Sequence, residues 1–280
     1  MRLSAVQFGA RHYSADENRA TIAACLEEEV GRGADLVVLP ELAVSGYGLD
    51  PAGLARSAEP FDGPTRALLQ AVADRHGVIV VTGFCEIEAD SLFNSAMLVR
   101  PRGEPVLYRK LHLFDGEKEI FAPGDRDLMI ADTAIGRVGI CVCYDLRFVE
   151  VARALALAGA DLLAVPTAWV GGFDRVARDK GGFIGQARGA VVQANLNQLP
   201  MICASQSGGD QGIRFLGSSL IVDAYGECLA GPMGEDEDGV LRAEMDLGAI
   251  RAARIRSPRV CPRKDRRGDV YDVVAKVHLC

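Results

Sequence analysis

Two hydrophobic patterns alternate along the chain: short apolar runs, and stretches whose apolar residues recur at helical spacing. Residues 3–8 read as a first strand. Residues 15–30 read as a helix, with Ile22, Cys25, Leu26 and Val30 on one face and Gly31 and Gly33 to stop it. Residues 35–40 form a fully buried strand that ends at Glu41. After a loop carrying Gly46 and Gly48, a second helix spans 64–76 and Gly77 closes it. Strands follow over 78–85, 93–99 and 106–113, the last two joined by a turn at Arg102-Gly103-Glu104. The second half repeats the plan. A strand over 137–143 leads into a helix over 148–157, then a strand over 161–166 and a helix over 183–197. Strands over 201–205, 218–223 and 240–246, a short helix after Leu247, and a tail over 256–280, basic and then apolar, complete the chain.

The repetition extends to the residues themselves. Gly33-Ala34-Asp35-Leu36-Val37-Val38-Leu39-Pro40 and Gly159-Ala160-Asp161-Leu162-Leu163-Ala164-Val165-Pro166 are nearly the same sequence in matching places. Strands alternating with helices predict buried, mostly parallel central strands, and the hairpin region near 93–113 predicts antiparallel edges. The expected fold class is α/β: a four-layer α-β-β-α sandwich with two internally similar halves. The 280 residues suffice for one such unit, and no flexible linker divides them, so 1–280 is expected to be a single domain. The tail has little apolar content before Val273, Val274 and Val277. It is expected to pack at a subunit interface, which makes the protein a homodimer or a higher even homo-oligomer.

Composition narrows the function. Hydrophobic residues at 49% and charged ones at 25% are ordinary for a soluble globular protein. A net charge of −7 argues against a nucleic-acid partner. No apolar window is long enough to span a membrane, and the N-terminus reads as a strand rather than a signal peptide. The eight cysteines are scattered singly, mostly within apolar runs. They suit neither a disulfide scaffold nor a structural zinc site, and a reducing cytoplasm is the simplest setting. No metal and no cofactor are expected.

In open α/β sheets chemistry lies beyond the carboxyl ends of strands. Cys143 sits where a strand becomes a helix, a place where N–H groups and the helix dipole favour a thiolate; the competing reading is a core cysteine beside Cys141. Glu41 follows Pro40 at the end of a very apolar strand, where a carboxylate must be paired if it is buried. Lys110 shares a strand face with His112, and an exposed basic edge strand would account for both. Together a cysteine, a glutamate and a lysine suffice for acyl transfer. Glu41 takes the thiol proton if burial raises its pKa, and Lys110 stabilises the oxyanion with the backbone N–H of Tyr144.

Three segments in order resemble the signatures of the nitrilase superfamily of carbon–nitrogen hydrolases. They are Leu39-Pro40-Glu41-Leu42 with Ser45-Gly46-Tyr47, Tyr108-Arg109-Lys110-Leu111-His112-Leu113-Phe114, and Cys143-Tyr144-Asp145-Leu146-Arg147-Phe148. The resemblance covers essentially the whole chain and is nearest to the aliphatic amidase and N-carbamoyl amine amidohydrolase members. It implies Glu41 as general base, Lys110 as oxyanion stabiliser and Cys143 as nucleophile. It further implies a second glutamate shortly before Pro123-Gly124, carried here to Glu119, with Glu117 on the same loop as the alternative. Thr167-Ala168-Trp169 matches the place where members line the substrate pocket, so Thr167 and Trp169 are carried over as pocket residues. One departure is Val149, where the usual residue is proline.

The expected activity is a thiol amidohydrolase that cleaves a small carboxamide to carboxylate and ammonia. Hydrolysis of an N-carbamoyl amine or amino acid, or of a nitrile, is the alternative. Arg175 and Arg178 would recognise a substrate carboxylate or else belong to a solvated loop. Three further readings stay open: a cysteine–histidine hydrolase using His112, a silent scaffold, and a metal site using Cys141 and Cys143, whose thiols would share a strand face.

Overall fold

A computed structural model describes residues 1–172 and 177–280. In chain order the elements are β1 (Arg2–Gln7), α1 (Ala15–Gly31), β2 (Leu36–Val38), α2 (Pro51–Ser57), α3 (Pro64–His76), β3 (Ile79–Glu88), β4 (Ser91–Val99) and β5 (Val106–Arg109). Next come β6 (Leu128–Thr133), β7 (Gly136–Ile140), α4 (Val149–Leu157), β8 (Leu162–Thr167), α5 (Gly185–Asn197) and β9 (Met201–Ser205). A small hairpin, β10 (Gly209–Asp210) with β11 (Ile213–Arg214), precedes β12 (Leu220–Val222), β13 (Cys228–Ala230), β14 (Gly239–Glu244), α6 (Leu247–Ala252) and β15 (Val277–Leu279).

Among the described residues the larger strands form two sheets, ordered β14-β1-β2-β3-β4-β5 and β13-β12-β9-β8-β7-β6-β15. Their layering follows from side-chain alternation, since neighbouring strand residues point to opposite faces. Leu3, Ala5, Leu36, Val38, Ile79 and Val81 face inward and share one apolar core with Ile130, Val138, Ile140 and Leu162 of the second sheet. Their neighbours Val6, Val37, Leu39 and Val80 face outward, against Ile22 and Leu26 of α1 and Leu69 and Val72 of α3. On the far side α4 and α5 pack against the second sheet through Val151, Leu155, Ala187 and Ala194. The expected α-β-β-α sandwich is therefore the observed architecture.

The internal likeness of the halves is visible in one repeated lock. Asp35 N–H donates to the Arg2 carbonyl at 2.9 Å, and its carboxylate accepts Arg2 N–H at 2.7 Å. Asp161 treats Arg137 in the same way, at 2.8 and 2.9 Å. Each aspartate thus sets the same parallel register, Leu3 beside Leu36 in one half and Val138 beside Leu162 in the other.

The tail docks in part on its own chain. β15 pairs in parallel with β6. Arg263 donates to the carbonyls of Ala156, Asn197 and Gln198, which closes the C-terminal ends of α4 and α5; burial lowers its pKa to about 10. Val270, Tyr271 and Val274 stay exposed.

Candidate active site

Beyond β2 the chain turns sharply at Glu41. The Glu41 N–H donates to the carbonyl of Thr167 at 3.2 Å, and the Glu41 carbonyl accepts from Gln206 Nε2 at 2.9 Å. Both partners belong to the second sheet's side of the molecule, so Glu41 is anchored across the sandwich. Leu42, next in the chain, has a left-handed φ of 48°. Gly83 of β3 permits this turn to lie so close: a Cβ there would stand 2.5 Å from Leu42 N and 2.6 Å from Glu41 Cα.

Lys110 follows the last residue of β5, and its N–H still bonds the Asn94 carbonyl at 2.9 Å. The exposed basic edge allowed by the sequence is not what forms. Arg109 and Lys110 are each 1% exposed. Arg109 is neutralised by Glu86 at 2.6 Å and Asp125 at 3.0 Å and lies over the Phe93 ring. Lys110 points the other way, where its ammonium donates to Glu41 Oε1 at 2.6 Å and to Glu117 Oε1 at 2.8 Å. Gly124 holds the same backbone, its N–H bonding the Lys110 carbonyl at 2.9 Å, at a spot where a Cβ would meet Arg109 O at 2.3 Å.

The structure turns Glu117, rather than Glu119, toward Lys110. A short 3-10 turn, Asp115–Glu119, leaves Glu119 exposed and buries Glu117 completely. Besides Lys110, Glu117 accepts from the Tyr47 hydroxyl at 2.5 Å and from Phe114 N–H at 3.0 Å. Asn94 Nδ2 donates to Glu41 Oε1 at 2.8 Å and completes the ring of donors.

Cys143 opens another 3-10 turn, Cys143–Arg147, with a left-handed φ of 46°. A non-glycine residue held there costs about 1–3 kcal/mol and needs support from its surroundings. β7 stops at Ile140, so strand alternation no longer relates the two thiols: Cys141 is packed in the core, and Cys143 lines a cavity of about 40 Å³. Burial pushes the Cys143 thiol well above its ordinary pKa, and Glu41 adds to this, while Lys110 and the Ala168 backbone N–H favour the thiolate. Burial also raises Glu41, against the pull of Lys110 and with the push of Glu117. For Lys110 burial works against the charge, yet Glu41, Glu117 and Cys143 hold its pKa raised. The site therefore holds a protonated thiol beside a carboxylate whose own proton affinity burial has raised.

The geometry and the three motif segments agree with a known family. Residues 2–255 match the carbon–nitrogen hydrolase family. The chain belongs to the carbon–nitrogen hydrolase family. It is 34% identical over 273 residues to a nitrilase of Pyrococcus abyssi, covering 97% of this chain and 99% of that one. It is 35% identical over 260 residues to an (R)-stereoselective amidase of a Pseudomonas species, covering 91% and 88%. Among solved structures, a carbon–nitrogen hydrolase from Helicobacter pylori G27 aligns with a TM-score of 0.85 at 30% identity, over 97% and 96% of the two chains. The sequence resemblance and the expectation of an enzyme both stand.

As in the sequence reading, this carbon–nitrogen hydrolase brings Glu41, Lys110 and Cys143 together, with Tyr144 and Trp169 on the wall of the same cavity. Thr167 does not line it. That residue is fully buried, its hydroxyl donating to Ala204 O at 3.1 Å and its carbonyl holding Glu41, because the strand carries its side chain into the interior. Tyr47, Phe114 and Val170 join the cavity to a wider hollow of about 390 Å³. Arg178 is occupied elsewhere, donating to the carbonyls of Gly182 and Leu216 and to Ser218 Oγ. Arg175 lies outside the described residues. His112 stacks on Phe148 with ring centroids 3.6 Å apart, and its Nδ1 lies 2.8 Å from Asp145. Tyr47 stands in the first motif segment without a role assigned to it there, and Asn94 and Gln206 are new; a polar residue inside an otherwise apolar run, as Asn94 is, was the available signal. Among the described residues no three metal-ligating side chains converge, and no helix is long and apolar enough to cross a membrane.

Proposed function

We propose that the enzyme hydrolyses a small carboxamide to a carboxylate and ammonia through an acyl-thioester on Cys143. The observation that carries this is the buried Lys110 ammonium held between Glu41 and Glu117 beside the Cys143 thiol. As the sulfur attacks the amide carbon, its proton passes to Glu41 and the carbonyl electron pair moves to oxygen. No net charge is created in the pocket, because the oxyanion replaces the carboxylate near the same ammonium. Lys110 and the Tyr144 backbone N–H stabilise the oxyanion. Its collapse breaks the carbon–nitrogen bond, and Glu41 returns the proton to the departing ammonia. Water then attacks the thioester, giving a proton to Glu41, and the sulfur leaves as the thiol. Glu117 accepts from Lys110 throughout and keeps the ammonium aimed at the reacting oxygen.

An N-carbamoyl amino acid would need a cation for its carboxylate. Arg178 is held by loop carbonyls and by Glu235 at 3.7 Å, whereas Arg147 lines the cavity, so ammonia release from each substrate class decides between that substrate and the carboxamide. Ammonia release should be screened over aliphatic amides, carbamoyl amines, nitriles and ω-amides, with intact-protein mass measured during turnover. Ammonia from amides together with an acyl mass on Cys143 is the expected result. Turnover by a Cys143→Ala variant would refute the reading.

A further inference from the structure

Asp145 is fully buried and has four donors around its carboxylate. Oδ2 accepts the Val142 N–H at 3.0 Å and the Tyr108 hydroxyl at 2.7 Å. Oδ1 accepts the His112 N–H at 3.0 Å and lies 2.8 Å from His112 Nδ1, which donates when it carries the ring proton. The positions of these partners matter more than their number. Tyr108 and His112 stand two residues before and two residues after Lys110, and Val142 stands directly before Cys143. One carboxylate thus grips both sides of the Lys110 backbone and the entry to the nucleophile turn.

We propose that Asp145 is a positioning residue that sets the distance between the Lys110 ammonium and the Cys143 sulfur. The inference rests on the Glu41–Lys110–Cys143 reading and adds to it the element that holds its two sheets in register. Lys110 comes from the end of a strand in the first sheet and Cys143 from the end of a strand in the second. Glu41 touches both Lys110 and Cys143, but only through its side chain, and Glu117 bonds Lys110 from the first sheet's side, so neither fixes the backbone of Cys143 against that of the lysine. Asp145 does so, by joining Val142 to residues 108 and 112. Its charge is needed for this. An amide at the same place has one acceptor oxygen, and its NH2 would face the backbone N–H of either Val142 or His112, which cannot accept. The clamp also supports the left-handed backbone of Cys143, since the Val142 N–H is held just where the chain turns.

The test uses the full chain carrying Asp145→Asn. Two quantities are read: steady-state ammonia release, and the pH dependence of Cys143 alkylation by iodoacetamide, followed by peptide mass. A misplacement on the order of an ångström costs about a hundredfold, so kcat should fall about tenfold to a hundredfold with KM little changed. The alkylation inflection should move to higher pH by about one unit, because a more distant ammonium favours the thiolate less. A merely structural role would lower the melting temperature yet leave the inflection of the folded enzyme in place, and that result overturns the proposal. If Asp145→Asn does not accumulate in folded form, Tyr108→Phe decides. It removes one donor, and the inflection must move in the same direction by a smaller step; an unmoved inflection overturns the clamp. Lys110→Met separates the two levels. If it leaves the inflection unmoved, the Glu41–Lys110–Cys143 reading itself fails, and the clamp with it. If it moves the inflection while the Asp145 and Tyr108 variants do not, the clamp alone fails.

Discussion

Replacing Glu117 by glutamine tests the assignment of the second glutamate most directly. Glu117 Oε1 receives Lys110 and Tyr47, and Oε2 receives the Phe114 N–H. Glutamine keeps the shape and one acceptor. Its NH2 then faces either the Phe114 N–H or the pair formed by the ammonium and the hydroxyl, and both alternatives set donor against donor in a buried place. A hydrogen bond to a charged group contributes about 1.5–3 kcal/mol, and each 1.4 kcal/mol is about tenfold in rate. Removing the Glu117 charge also removes one of the influences that raise Glu41, so the base becomes weaker. Glu117→Gln should therefore lose about tenfold to several hundredfold in kcat. Glu119→Gln alters an exposed side chain and should stay within about twofold. Ammonia release with a single amide, alongside thermal unfolding to confirm the fold, compares them. A Glu119→Gln enzyme as damaged as Glu117→Gln, or a Glu117→Gln enzyme within twofold of the parent, would refute the reasoning.

Four other outcomes are expected. Cys143→Ala should abolish turnover with the fold intact and Cys141→Ala should be far milder; the reverse pattern in the same assay would exchange their roles. Glu41→Gln should cost about a hundredfold to ten-thousandfold, the usual range for a general base, whereas His112→Asn should cost much less. Because burial raises Glu41, the acid limb of kcat/KM should lie above the ordinary glutamate value of about 4.3, activity falling as pH drops through the raised pKa and Glu41 can no longer accept a proton; a limb at or below that value contradicts the dry site. Exposed Val192 and Leu196 on α5, with Tyr225, Val270, Tyr271 and Val274, are expected to be covered in a homodimer or higher even oligomer, and a monomer by light scattering at micromolar concentration would exclude it.

Much of the sandwich was legible because its core strands and outer helices carry clean periods. α3 and β9 occupy the expected residues, 64–76 and 201–205. Strand ends were extended too far at 106–113 and 137–143, since Leu113, Cys141 and Val142 are buried and Leu111 half-buried beyond the last paired residues, and apolarity alone does not mark where pairing stops. Strands β6 and β15 and helix α2 went unread because they are short or mixed with polar residues, although Asp50 before Pro51 was a usable start signal. The three central site residues were legible from their motifs. The choice between Glu117 and Glu119 was not: in a 3-10 turn two residues differ by about 240° around the axis, so neighbours in sequence face opposite surroundings. The roles of Asn94 and Asp145 depend on contacts across 53 and 37 residues, which no local pattern expresses.

The placement of Glu41 and Lys110 on one sheet and Cys143 on the other has a kinetic meaning. Either sheet alone would carry either a lysine with its carboxylates or an ordinary thiol, and neither is a catalyst. During refolding, helix and strand signals should recover before activity, and activity should follow the slower closing of the two sheets through contacts such as the Glu41 N–H on Thr167 O. On the proposed mechanism the Cys143 sulfur would gain its reactivity only once the cavity that encloses it has closed.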